Sequence, residues 1–214
     1  MKRILTLFAF MLAMGLAAVQ AQIPAEVSNV MNKCRAAMSN PAGLEYEMDM
    51  KAGMGPVSMK MHIVSACKGK LRRASVTTKL LGVEVVSMTG FDGTDTWEVK
   101  QGTNCDTVII ERGDKKDKGS EALELDYDKQ FTKAKMHHKV GYYEITFSEP
   151  KDKSSEVKSA TVKVSDKNYA LREVRSGARG AKITMTITRI HVGLNDSHFK
   201  LDLSKHPGSV VVRK

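Results

Sequence analysis

The chain has 214 residues and a formal charge of +10, with 34 Lys and Arg against 24 Asp and Glu. That length suits one domain, and no internal stretch is long and apolar enough to span a bilayer. Lys2 and Arg3 followed by the apolar run Ile4 to Ala18 and the small-x-small step Val19-Gln20-Ala21 read as a secretory signal peptide, residues 1–21. Its removal leaves 193 residues at +8, a chain poor in aromatics, expected in the periplasm and not itself membrane-anchored. Residues 22–214 then form a single domain. Nucleic acid is a poor partner for an exported chain of this kind, and its basic residues read as a solvated face.

The exported chain opens with a helix. Pro24 suits a first turn, and Val27, Val30, Met31, Cys34 and Met38 recur at helical spacing on one face. Asn40-Pro41 ends it. From Leu44 the period changes to two. Leu44, Tyr46, Met48 and Met50 alternate with charged residues; after a turn at Gly53 to Pro56, so do Val57, Met59, Met61 and Ile63. Further strands are expected at Leu71 to Lys79, Leu81 to Met88, Thr96 to Lys100 and Thr107 to Arg112. Gly113 to Gly119 reads as a charged loop, and Ser120 as the cap of a short helix through Leu125. Strands resume at Val140 to Phe147, Val157 to Val164, Ala170 to Val174 and Ala181 to His191. Phe199, Leu201 and Leu203 form a last alternating stretch before Val210 to Val212.

About ten short strands and one solid helix predict an α+β, mainly β chain built on a curved antiparallel meander. With few aromatics to fill it, such a sheet has room for a guest. Met48, Met50, Met54, Met59 and Met61 crowd one hairpin, and flexible thioethers suit a wall that must re-pack around variable chains. A Cu(I) site from Met59, Met61, His62 and Cys67 is the rival reading, but strand parity turns His62 away from the two methionines. Cys34, Cys67 and Cys105 show no C-x-x-C spacing. The expectation is two or three buried thiols, with Cys67 and Cys105 at opposite ends of the meander, too far apart to bridge. No nucleophile–base pair, paired acids or phosphate loop stands out, so an enzyme is not expected.

Three segments carry a family resemblance. They are Lys68-Gly69-Lys70-Leu71-Arg72-Arg73 followed by the Asp92-Gly93 turn and Trp97, then Tyr143 to Pro150, then Phe199-Lys200-Leu201 through Val211. In this order the chain resembles the outer-membrane lipoprotein carrier (LolA) superfamily. The resemblance implies an incomplete, half-open antiparallel barrel wrapped over the N-terminal helix and a short helical lid. It implies an apolar cavity for acyl chains of lipoproteins or another lipid, and membrane-bound lipoprotein-sorting components as partners. The cavity residues would be Leu44, Tyr46, Met48, Met50, Val57, Met59, Met61, Ile63, Val83, Val85 and Trp97, with Val27, Val30, Met31 and Met38 as the lid face. Family carriers latch the lid with the Arg of an Arg-Pro step. Here the matching step is Lys68-Gly69, which makes Lys68, Arg72 and Arg73 the latch candidates. Some relatives instead sense envelope stress by binding a membrane-anchored partner, and an interaction module on the same fold is the alternative.

Overall fold

The computed structural model describes residues 23–54, 57–80, 83–102, 104–114, 125–178 and 180–214. The expected signal peptide, and all but Leu125 of the expected 120–125 helix, lie outside the described residues. Helix α1 (Ala25–Ala37) begins one residue after Pro24, which sits at the cap position rather than inside the first turn. Thirteen residues make a marginal helix in isolation. Its stability comes from its buried stripe Val27, Val30, Met31 and Cys34, with Met38 following at the cap.

Strands β1 (Leu44–Met54) to β6 (Thr107–Arg112) form one meander, with β2 (Val57–Lys68), β3 (Leu71–Leu80), β4 (Val83–Phe91) and β5 (Asp95–Lys100) between them. A four-residue helix, α2 (Tyr127–Gln130), leads into a second meander, β7 (Phe131–Lys139), β8 (Tyr142–Pro150), β9 (Val157–Ser165), β10 (Leu171–Ala178) and β11 (Ala181–Val192). Antiparallel pairing of β1 with β11 fuses the two into one twelve-stranded sheet, ordered β12-β6-β5-β4-β3-β2-β1-β11-β10-β9-β8-β7. The order is linear, with edges at β7 and β12 (Val210–Arg213), so the barrel is incomplete and half-open, as expected.

Three elements depart from the sequence reading. Strand β7 was not anticipated. Its inward positions Ala134 and Met136, paired with Phe147 and Ile145, are a weak apolar signal between Lys133, Lys135 and Lys139. Lysines along this edge discourage strand addition by another chain. The stretch Phe199 to Leu203 is not a strand. Two 3-10 turns, Asp196–Phe199 and Leu203–Lys205, carry the chain across the sheet as a strap. Strand β12 pairs with β6 in parallel, the one exception to antiparallel order among the described strands.

The main core lies between α1 and one half of the sheet. Val27, Val30, Met31 and Cys34 pack with Leu44, Tyr46 and Met48 of β1 and with the inward rows of β8, β9 and β10, including Ile145, Phe147, Val162 and Leu171. On the other face, the C-terminal strap covers β2 to β6. Phe199 and Leu194 pack with Ala66, and Leu201 packs with Trp97, Val99 and Val108. The sheet is thus covered by the helix on its inner face over one half and by the strap on its outer face over the other.

Candidate functional site: a cavity on the inner face

Because α1 sits over β1 and β8 to β10, no helix among the described residues lies above the inner face of β2 to β6. A cavity of about 660 Å³ occupies this space. Met38, Ser39, Asn40 and Pro41, where α1 ends, form one wall. The floor is set by strand register. Cys67 pairs with Arg72, Ser65 with Ala74, Ala74 with Thr89, Thr89 with Glu98, and Glu98 with Ile109, so all these side chains share the inner face. Thr96 and Glu111, also paired, complete the lining. Small and apolar groups make up most of the wall, and Arg72, Glu98 and Glu111 bring charge to it.

Arg72 is fixed rather than free. It forms an ion pair with Asp114, and its guanidinium lies 5.2 Å from the centre of the Phe91 ring. Glu98 faces Lys100 at 3.3 Å and Glu111 faces Lys214 at 3.3 Å. Each of these three charges therefore has a partner. The Cys67 thiol is half-buried, and burial holds its pKa above the ordinary thiol value. Cys34 is fully buried in the helix core, which pushes its thiol to about 12. Cys105 is exposed, and all three cysteines are free. The expectation of two or three buried thiols reduces to one buried and one half-buried.

The residues expected to line a cavity divide into three groups. Leu44, Tyr46 and Met48 are buried under α1 and act as core rather than as cavity wall. Met50, Met61 and Ile63 are half-buried, and Met59, Val83 and Val85 are 37%, 63% and 48% exposed. Register places these six on the inner face, toward the end of the hairpins away from the Cys67–Arg72 pair. They continue the apolar surface and are not part of the enclosed lining. The side chain of Val57 lies outside the described residues, as does that of Met54.

Trp97 borders the cavity from a position that alternates to the outer face. Its indole is 2% exposed, packs with Val99, Val108 and Leu201, and donates through Nε1 to the Phe199 carbonyl at 3.1 Å. It is a structural tryptophan that anchors the strap. Gly90 makes room for it, since a Cβ there would fall 2.2 Å from the indole ring. His62 lies 2.9 Å from Asp49 through Nδ1, on the face opposite Met59 and Met61. Among the described residues no cluster of three or more His, Cys, Asp or Glu could hold a metal ion.

The expected lid face is buried as a unit: Val27, Val30, Met31 and Met38 all contact the core. The latch candidates make other contacts among the described residues. Lys68 donates to the Leu194 carbonyl at 2.9 Å and pairs with Asp196 at 2.8 Å, and Arg73 donates to the His198 carbonyl at 3.1 Å. Lys68 and Arg73 alternate to the outer face and pin the strap, while Arg72 is held by Asp114. None of these contacts reaches α1.

The helix carries its own clamp. Arg35 donates to both carboxylate oxygens of Asp128 at 2.7 and 3.1 Å and to the Leu125 carbonyl at 2.9 Å, with Asp126 3.5 Å away. The fork matches the carboxylate, a geometry Lys cannot reproduce. Hydrogen bonding to Asp128 raises the Arg35 pKa. The sequence reading missed this contact because its partners lie some ninety residues apart. The one available hint is an Arg on the flank of an otherwise apolar helical stripe.

Comparison with solved structures matches this architecture to an uncharacterized conserved protein from Thermus thermophilus. The match has 10% identity, covers 88% of this chain and 99% of that one, and has a TM-score of 0.51. The likeness is one of fold. Other matches are a LolA superfamily protein from Nitrosomonas europaea, with 8% identity, 82% and 97% covered and a TM-score of 0.38, and the lipoprotein LppX from Mycobacterium tuberculosis, with 11% identity, 78% and 96% covered and a TM-score of 0.47. No model of a protein family matches the sequence, and no curated protein matches it.

Proposed function

We propose that the protein is a non-enzymatic periplasmic carrier that shelters the acyl chain of a lipoprotein or another lipid in the inner-face cavity. The observation that supports this most strongly is the cavity itself. About 660 Å³ of space lies beside the end of α1, where the helix stops short of β2 to β6. Ligand pockets commonly measure about 300–1,000 Å³, mostly apolar with a few placed polar groups. An acyl chain in water costs about 0.8 kcal/mol per exposed CH₂, so its carrier must cover it. The half-buried Met50, Met61 and Ile63 and the exposed Met59 extend the apolar face beyond the cavity, where a longer chain would lie. Thioethers there can re-pack around chains of different length. The charges at Arg72, Glu98 and Glu111 suit the polar end of an amphiphile. Membrane-bound lipoprotein-sorting components are the partners such a carrier would exchange cargo with. Among the described residues no helix is long and apolar enough to cross a membrane.

Native mass spectrometry of the purified protein, combined with displacement of a fluorescent fatty acid, tests this function. Co-purifying lipid, or saturable displacement by a long-chain fatty acid, is expected. The absence of both would overturn the proposal.

A further inference from the structure

A second pocket, of about 360 Å³, lies on the outer face between the sheet and the C-terminal strap, and its chemistry is unlike that of the first. His191, His198 and His206, scattered in the sequence, all border it. Arg73, Lys200 and Lys205 also line it, against a single lining carboxylate, Asp202. Asp202 is already engaged. It accepts from the Ser204 backbone N–H and hydroxyl, and Lys205 stands 3.8 Å from it. Arg73 spends one guanidinium N–H on the His198 carbonyl and faces no carboxylate among the described residues, and Lys200 likewise has no acidic partner there.

Two of the histidines stand beside carboxylates. His206 Nδ1 lies 2.9 Å from Asp106, so that nitrogen is the donor and Nε2 of the neutral ring is an acceptor. His198 Nε2 lies 2.8 Å from Glu45 but makes no hydrogen bond to it. Met88, Trp97 and Leu201 give the pocket an apolar floor. A small, partly enclosed space lined by two cations that face no carboxylate among the described residues suits an oxyanion. Arg supplies the planar fork that phosphate oxygens accept in pairs, and Lys a point charge.

We propose that this outer pocket binds a phosphate group, either free or as the head of a phosphorylated lipid, with Arg73 and Lys200 as its main donors. The site opens on the opposite face of the sheet from the acyl cavity, with Arg73 and Trp97 bordering both, and it stands whether or not that cavity carries lipid. Trp97, the single tryptophan of the chain, borders the pocket and reports on it. The experiment is titration of tryptophan emission with inorganic phosphate, against chloride at equal ionic strength. A parallel titration uses phosphatidylcholine vesicles with and without phosphatidic acid. Lys200→Gln changes an exposed side chain, and Arg73→Lys keeps the charge while removing the fork. A saturable response to phosphate, about tenfold weaker in both variants, supports a free anion as ligand. A response only to phosphatidic acid vesicles, weakened in the same way, supports a lipid head group. No response to either probe, or equal responses in wild type and both variants, would overturn the proposal.

Discussion

Breaking the Arg35–Asp128 pair should loosen α1 while leaving the sheet intact. Arg35 is 23% exposed and Asp128 only 7%, and the pair makes two direct N–H···O contacts at 2.7 and 3.1 Å. Exposed ion pairs contribute at most about 1 kcal/mol, while breaking a fully buried pair costs about 3–5 kcal/mol. This pair lies between the two, so Asp128→Asn or Arg35→Gln should each cost about 2–3 kcal/mol. For a chain of this size that corresponds to a loss of about 4–12 °C in Tm. Thermal melts of both single variants and the double variant form a cycle, which should give a coupling energy of about 1–2 kcal/mol. Hydrogen exchange should show faster opening of residues 25–37 in Arg35→Gln. It should show no such change in Lys68→Ala, whose partners Leu194 and Asp196 belong to the strap. A coupling energy below about 0.3 kcal/mol, or faster exchange in α1 caused by Lys68→Ala, would refute the assignment of the clamp.

Other outcomes follow from particular contacts. Alkylation of the native protein at pH 8, followed by peptide mass spectrometry, should modify Cys105 first, Cys67 slowly and Cys34 only after unfolding. Burial keeps the last two protonated and covered. Gly90→Ala should cost about 1–3 kcal/mol in denaturant melts and shift the tryptophan emission, because the new methyl displaces the indole. Hydrogen bonds lower the pKa values of Glu144, Asp152, Asp166 and Asp202, chiefly those from Lys139, Ser154, His138 and Ser204. Their stabilisation is present above the ordinary carboxylate pKa, about 4, and is lost as the pH falls through the depressed values. Tm should therefore fall as the pH is lowered below about 4, and less steeply in Asp166→Asn.

The parts of the fold that were legible in the sequence are those where period and burial coincide. Leu44, Tyr46 and Met48 alternate with Glu45, Glu47 and Asp49 because one face of β1 meets α1 and the other does not. The stripe from Val27 to Met38 was legible for the same reason. Strand β7 was hidden because Thr132, Ala134 and Met136 are modest apolar markers among lysines. Period two misled at Phe199 and Leu201, since a strap lying flat on a sheet can also turn every second side chain inward. Trp97 looked like a cavity residue by composition. Only the register, with Gly90 opposite, shows that its ring belongs to the outer face. The Met-rich hairpin was placed on the inner face correctly by parity. Which part of that face the helix covers depends on where α1 docks, and the pairing of β1 with β11 across the whole chain decides that.

The central claim is that the space over β2 to β6 receives an acyl chain. Ala74 lies on the floor of the cavity, between Ser65 and Thr89, and its side chain points into the space rather than into the core. Ala74→Trp should place an indole on the cavity floor and obstruct the space with little change to the α1 core. The direct measurement is fluorescent fatty-acid binding to this variant, with Tm followed alongside. At least about a tenfold loss of affinity is expected, with Tm within a few degrees of wild type. Undiminished binding by a folded Ala74→Trp protein would contradict the claim.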